Sequence, residues 1–461
     1  MKYLSTRGSK ANSFKEILFS GIAEDGGLFV PEKWPSIGIN DIDSNISYMD
    51  LAFKILSPFI GSEISTDNLK KIISDAYQGS FSVNDLVSFK KLNKNEVIVE
   101  LFNGPTLAFK DFAMQLLIPI FDYFLIQENK KINLIVATSG DTGAAAINAV
   151  KKSKNISIYC LFPKDRISNF QRRQMSTVNE YNINLCEIDG TFDDCQKIVK
   201  SILNDQEFSK KFSISAVNSI NWTRIMIQSV YYYFSFLKLG NDGFNKINFS
   251  VPTGNFGDVY AGFVAYKMGL PINKLIVATN ENDILHRFFN TGEYKINNVS
   301  KTSSPSMDIQ VASNFERLLF ELLGRSGNST KDKMNDLDKN GAININKEEL
   351  KIANEIFLSG KTEMDVVNTI INQVFNSSKY LLDPHTAVGL NASRKYNDSS
   401  HLNCILATAS PIKFSETVER AVDESLNLLK GYDYLFQSKE KYVELNNNVN
   451  EVKDQISNKN L

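Results

Sequence analysis

The chain has 461 residues with a formal net charge of −1, 43% hydrophobic and 22% charged, the balance of a soluble globular protein with ample length for a buried core. So small a net charge offers no field for nucleic acid or for an anionic membrane, and any functional cation must act locally. Met1 to Lys15 is basic but lacks the apolar core of a secretory signal.

The N-terminal part is irregular around Gly26, Gly27 and Pro31, and helical patterns follow over Tyr48–Phe59 and Asn68–Gln78. Strands are predicted at Val97–Phe102, Ile132–Ser139, Ile156–Phe162, Ile183–Asp189, Ile247–Thr253, Lys274–Asn280 and Asn403–Ser410. Most are continuous apolar runs, as expected of parallel strands covered on both faces. Helical patterns such as Asp141–Lys152, Phe170–Tyr181 and Asp258–Met268 fill the gaps, giving an α/β class with open, mostly parallel sheets and helices on both faces. The longest apolar stretch, Phe112 to Ile126, contains Gln115 and Asp122 and is too short to span a bilayer. From 324 to 346 the chain turns polar and reads as a surface excursion or mobile flap. After Tyr434 it is polar with a helical pattern. Cys160, Cys186, Cys195 and Cys404 show no C-x-x-C spacing, and His286, His385 and His401 lie far apart. Reduced thiols, a cytoplasmic location and no metal site are the expectation.

Five segments bear chemistry. Phe102 to Asp111 holds one lysine, Lys110, in an otherwise uncharged run between a strand and a helix. Burial there lowers the pKa of an ammonium, and the neutral amine is the form that makes a Schiff base; a solvated face is the alternative. Thr138 to Gly143 ends a strand in small polar residues before a small-residue helix, whose amides and hydroxyls suit a carboxylate, with Asp141 a candidate N-cap. Asn218 to Arg224 joins amide, hydroxyl and guanidinium, enough to grip a phosphate or merely to cap a helix. Val251 to Asp258 is a glycine-bracketed turn from strand to helix, either a main-chain phosphate cradle or a tight turn. Thr408 follows a late strand, where α/β sheets bind ligands and a hydroxyl can bond a neutral ring nitrogen. Two further segments are discounted. Asp336 to Gly341 opens like a calcium loop but puts Lys347 at the glutamate position. Lys164, Arg166, Arg172 and Arg173 form a basic cluster read as a solvated face, with substrate-phosphate steering as the alternative.

Together these segments resemble the threonine synthases, a family of fold-type-II pyridoxal-phosphate enzymes. The resemblance includes Tyr3 to Gly8, Ser20 to Pro31, Phe170 to Met175, Ser304 to Gln310, Asp383 to Gly389 and Ala407 to Phe414, and so runs in order along nearly the whole chain. Ser410 and Ile412 stand where the family often has histidine and alanine. The resemblance implies a tryptophan synthase β-like fold with the cofactor, pyridoxal 5'-phosphate, in the cleft between domains. These would be an N-terminal domain at 1–95, a large cofactor domain at 96–110 and 221–461, and a smaller mobile α/β domain at 111–220. It implies conversion of O-phospho-L-homoserine and water to L-threonine and phosphate by a monomer or homodimer, with no nucleic acid or membrane partner. Lys110 would anchor the cofactor and remove the Cα proton. Gly254, Asn255, Phe256 and Gly257 would hold its phosphate, Thr408 its pyridine nitrogen, and Asp141 would lie near its phenolic oxygen. Ser139 and Thr142 would touch the substrate carboxylate, and Asn218, Ser219 and Arg224 the substrate phosphate. A threonine or serine dehydratase is the nearest rival, and the Tyr3 to Pro31 and Ser306 to Asp308 segments argue against it. An intact Lys110 and Thr408 argue against a catalytically silent homologue.

Overall fold

The uninterrupted apolar runs become the centres of two sheets. In the computed structural model, which describes residues 1–240, 244–396 and 400–459, the larger sheet has the order Phe357–Lys361, Ile272–Thr279, Ile247–Pro252, Leu402–Ala407, Glu96–Glu100, Ser88–Lys91. Neighbours run parallel except at the Ser88–Lys91 edge. The second sheet is wholly parallel, in the order Val443–Asn446, Ile183–Asp189, Ile156–Pro163, Ile132–Ala137, Ile214–Ala216. Every residue of Ile132–Ala137, Ile247–Pro252 and Leu402–Ala407 is buried, which is why these strands show no polar alternation. A small antiparallel sheet, Lys10–Ala11, Tyr3–Ser5 and Phe29–Pro31, opens the chain. The helices Tyr48–Ile60 and Thr66–Tyr77 follow, capped by the hydroxyls of Ser47 and Ser65.

Two helices join the sheets. Lys110–Glu128 is buried on nearly every face and packs on Asp141–Val150 and on Trp222–Leu239. Trp222–Leu239 is itself buried around its whole circumference, including Tyr231, Tyr232 and Tyr233. Apolar sequence that resembles a membrane segment is here the core of a large α/β protein; no helix among the described residues is long and apolar enough to cross a membrane.

Several expectations need correction. The expected helix Phe170–Tyr181 is Asn169–Ser176: a capping box between Ser168 and Gln171 starts it, and Ser176 O accepts from Lys441 N where it ends. The polar stretch 324–346, expected to be a surface excursion or mobile flap, is regular structure at the surface. It forms the helix Gly327–Asn340 and the strand Ala342–Asn344, paired antiparallel with Glu293–Lys295. Only Thr330 and Leu337 of that helix are buried, so its sequence reads as loop. The calcium-like Asp336 to Gly341 segment is the end of the same helix, with Gly341 as its left-handed cap.

The end of the chain, expected with 221–461 in the large domain, packs on the second sheet. Val443–Asn446 lies parallel to Ile183–Asp189, and the helix Val449–Lys459 sets Val452 and Ile456 against Ile198, Val199 and Ile202. This terminal strap also takes up most of the basic cluster. Arg172 Nε lies 2.9 Å from Glu440 Oε2, Arg173 Nη2 3.3 Å from Glu440 Oε1, and Lys164 Nζ 3.1 Å from Glu444. Neither a free solvated face nor a phosphate-steering patch describes Arg172 and Arg173. Glu440 also accepts from Ser176 Oγ at 2.7 Å. Glu440→Ala removes the shared carboxylate and leaves Arg172 with Asn169 Oδ1 and Arg173 with the carbonyls of Leu435 and Phe436; urea unfolding is expected to show about 1–3 kcal/mol of lost stability, with faster amide exchange over residues 443–459. An unchanged midpoint would mean the clamp contributes nothing.

Candidate active site

The site is assembled where strands of both sheets end. After Glu96–Glu100 the chain loops back: Phe109 N donates to Thr408 O at 2.9 Å and Ser410 N to Leu107 O at 3.0 Å. Leu107 takes a left-handed φ of 61° to make this possible, a conformation that costs a non-glycine residue roughly 1–2 kcal/mol. The buried Asp111 carboxylate closes the loop, accepting from Thr106 N at 2.8 Å and Thr106 Oγ1 at 2.6 Å. Lys110, the first residue of its helix, is thereby delivered beside Thr408. Its side chain is 13% exposed, and Nζ lies 4.4 Å from the Phe109 ring centroid. Burial pushes its pKa down, Arg224 and Lys413 add to this, and the Asp141 carboxylate opposes them.

Asp141 is not the helix cap the sequence invited. The cap is Gly140, at φ 118°, where an added Cβ would meet the Gln171 amide at 2.5 Å. Asp141 is the first helical residue and its carboxylate is free to face the cleft. Oδ1 accepts from Lys413 Nζ and from Gln171 Nε2, each at 2.8 Å. Oδ2 lies 3.4 Å from Lys110 Nζ and 3.5 Å from Ser306 Oγ. Burial alone would raise its pKa, but Lys413 and then Lys110 outweigh it and hold the carboxyl well below the usual range. Thr138 Oγ1 accepts from Gly140 N and Gly143 N, which fixes the turn carrying Ser139 and Thr142.

The 254–257 turn leads into the helix Gly257–Lys267, whose first residues, Gly257 and Asp258, line the cleft. A Cβ on Gly254 would sit 2.4 Å from Ser306 O, so only glycine permits this approach. Phe256 is left-handed at φ 64° and is held there by the rings of Phe289, Phe315 and Phe357, with centroids 6.3, 6.3 and 5.8 Å away. Asn255 Oδ1 accepts from Ser313 Oγ, which also contacts Ser219 Oγ at 3.2 Å. Asn314 Nδ2 donates to the carbonyls of both Asn255 and Ser219. The turn and the 218–224 segment are thus stitched together. Arg224 is 3% exposed. Nη1 donates to Val217 O at 3.1 Å, Nε is buried without a partner among the described residues, and burial pushes the pKa down to about 10. Asn218 Oδ1 is likewise unpartnered.

One cavity of about 600 Å³ gathers Lys110, Ser139, Asp141, Thr142, Asn218, Ser219, Arg224, Gly254, Asn255, Phe256, Gly257 and Thr408. Each residue singled out from the sequence lines it; Arg166, Arg172 and Arg173 do not. Phe192, Gln196 and Lys200 and, from the Gly327–Asn340 helix, Met334, Leu337 and Asp338 also line it. Sequence reasoning missed Lys413, Gln171, Ser306 and His385. Lys413 carried the same signal as Lys110, a lone lysine in the uncharged run Pro411 to Phe414 after a strand. His385 packs on Phe414 and its Nδ1 lies 2.8 Å from Asp383 Oδ1. Its Nε2 accepts from Ser306 N at 3.4 Å.

Comparison with known proteins gives the following. The family description of the threonine synthase N terminus matches residues 2–77, that of pyridoxal-phosphate-dependent enzymes 84–335, and that of the threonine synthase C terminus 386–456. A threonine synthase of Pseudomonas aeruginosa is 42% identical over 462 residues, covering 99% of this chain and 98% of the relative. A crystal structure of PLP-bound threonine synthase from Brucella melitensis superposes with a TM-score of 0.94 at 42% identity, covering 100% of this chain and 99% of that one. The yeast threonine synthase structure gives 0.92 at 38% identity, covering 99% and 98%.

Asp258, under the 254–257 turn, accepts from Tyr231 OH at 2.6 Å and Tyr232 OH at 2.9 Å, and burial pushes its pKa up to about 6. An unfolded aspartate titrates near ~3.9. Between these values the folded state binds more protons than the unfolded state, so this group's contribution to stability is lost as pH rises through the window. Asp258→Asn keeps an acceptor for both tyrosines and removes the titration. Urea unfolding at stepped pH is expected to show the variant gaining on the wild type from about pH 4 to about pH 6; a pH-independent difference would mean Asp258 titrates normally.

Proposed function

This chain belongs to the threonine synthase family, and from that premise we propose how its own residues serve the reaction. That reaction is the pyridoxal-phosphate-dependent conversion of O-phospho-L-homoserine and water to L-threonine and phosphate. The observation that carries the reading is a buried lysine whose amine is pushed toward neutrality, in one cavity with a main-chain anion cradle that only glycine permits.

The residues present fit the cofactor. Gly254, Asn255, Phe256 and Gly257 would hold its phosphate on main-chain amides at a helix start, Lys110 its aldehyde carbon, and Thr408 its pyridine nitrogen, with Asp141 near the phenolic side. When bound, the conjugated ring withdraws electrons from the substrate α-carbon. Lys110 Nζ, neutral, accepts the proton from substrate Cα and can return it later. Ser139 and Thr142 orient the substrate carboxylate at the start of the Asp141–Val150 helix. Arg224, with an unused Nε–H, and Asn218 and Ser219 beside it would take the substrate phosphate and stabilise it as it leaves from Cγ. The surroundings of Lys110 exclude bulk water while one water is admitted to Cβ.

The reading divides the chain into a domain at 1–95, a large domain built on 96–110 and 221–431, and a smaller one of 111–220 joined by the 432–459 strap. The smaller carries the carboxylate-holding turn and would move on closure. We infer a cytoplasmic monomer or homodimer without nucleic-acid or membrane partners, supported by the net charge of −1 and by four buried free cysteines.

Lys110→Ala is expected to cut threonine formation by at least ~10³-fold, since a general base alone supplies about 10²–10⁴-fold. The wild type is expected to be yellow, with borohydride fixing the colour to the Lys110 peptide. Substantial turnover in the variant ends the assignment, and activity on threonine rather than phosphohomoserine makes the protein a dehydratase. Arg224→Ala is expected to lower kcat/KM for phosphohomoserine by roughly 10–100-fold, the worth of a charged hydrogen bond of about 1.5–3 kcal/mol. Unchanged kinetics would move the phosphate pocket elsewhere.

A further inference from the structure

Lys110 is not the only buried lysine at the cleft. Lys413 is wholly buried, in the short Pro411–Phe414 turn that follows the Leu402–Ala407 strand. Its Nζ makes two contacts of 2.8 Å, one to Asp141 Oδ1 and one to Thr106 O. Thr106 belongs to the loop that delivers Lys110, and Asp141 to the helix on the opposite side of the cleft. Lys413 therefore joins the two sides of the site through one ammonium.

The arrangement answers a chemical difficulty. Asp141 Oδ2 is 3.4 Å from Lys110 Nζ, and a buried carboxylate at that range favours the charged form of a lysine. A permanently protonated Lys110 can neither attack an aldehyde nor accept a proton. Lys413 sits closer to the same carboxylate, and Gln171 donates to the same oxygen. The charged groups facing Lys110 are Asp141, Lys413, Arg224 on the Trp222–Leu239 helix and Asp258 on the Gly257–Lys267 helix. Those facing Lys413 are Asp141, Asp111 and Lys110.

We propose that Lys413 is a positioning residue acting through Asp141: it commits the carboxylate to a buried ion pair, so that Lys110 can exist as a neutral amine beside it. The proposal deepens the reading that Lys110 is the reactive amine and rests on it. Removing Lys413 leaves Asp141 with Lys110 as its nearest cation, and the proton stays on Lys110. Removing the Asp141 charge has the opposite effect, because Lys413 and Arg224 then face Lys110 with Asp258 alone to offset them.

The test is the pH dependence of Lys110 labelling by acetic anhydride in the full-length chain freed of cofactor, read by mass spectrometry against exposed Lys197. Lys413→Met is expected to raise the Lys110 midpoint by about one unit or more, a tenfold or greater drop in labelling at a pH below the midpoint. Lys413→Arg is expected to stay near the wild type, and Asp141→Asn to lower the midpoint. A folded Lys413→Met chain with the wild-type midpoint overturns the proposal. Should Lys413→Met fail to fold, Asp141→Asn decides alone, and a midpoint equal to or above the wild type overturns it. Failure of the wild type to take up pyridoxal phosphate would strike the reading of Lys110 instead, and is seen separately as absence of colour.

Discussion

An amine reacts as a nucleophile or base only where water does not hold its proton in place, and withdrawing a charged group from water is costly. Around Lys110 that constraint is met by an arrangement of charge. Three basic side chains, Lys110, Lys413 and Arg224, share a buried cleft with an ionised Asp141, while burial pushes the pKa of Lys110 down and those of Asp111 and Asp258 up. No single ion pair accounts for this balance. Arg224 in particular has no carboxylate partner among the described residues, only Val217 O, as suits a group meant to receive an anion from outside.

Backbone geometry holds these charges in place. Leu107 and Phe256, each in a turn that follows a strand of the larger sheet, adopt left-handed conformations, and each is stabilised by neighbours that overdetermine it. For Leu107 these are the main-chain bonds linking its loop to Thr408 and Ser410; for Phe256 they are three phenylalanine rings. Strain of this kind persists where packing resists it, and it concentrates at functional sites. The result is a cradle and an amine that need little reorganisation to meet a ligand.

The C-terminal strap adds a mechanical condition. Glu440 clamps Arg172 and Arg173, and Val443–Asn446 extends the second sheet. The last residues therefore pack on the part of the protein that carries Asp141, Ser139 and Thr142.

Local patterning determined a great deal. Continuous apolar runs are set by burial on both faces, glycine-bracketed turns by the close approach of backbone, and a lysine isolated among apolar residues stands out because it has no cheap place to go. Those signals marked the parallel sheets and the residues from Lys110 to Thr408 that line the cavity. Ser326–Gly341 was misread because a surface helix with two buried residues is as polar as a loop, and Val443–Asn446 because an exposed edge strand lacks an apolar run. What only the tertiary structure decided is which charges meet. Lys413 and Asp141 lie far apart in the chain, on different sheets, and electrostatic energy depends on distance and burial in space, which no local pattern records.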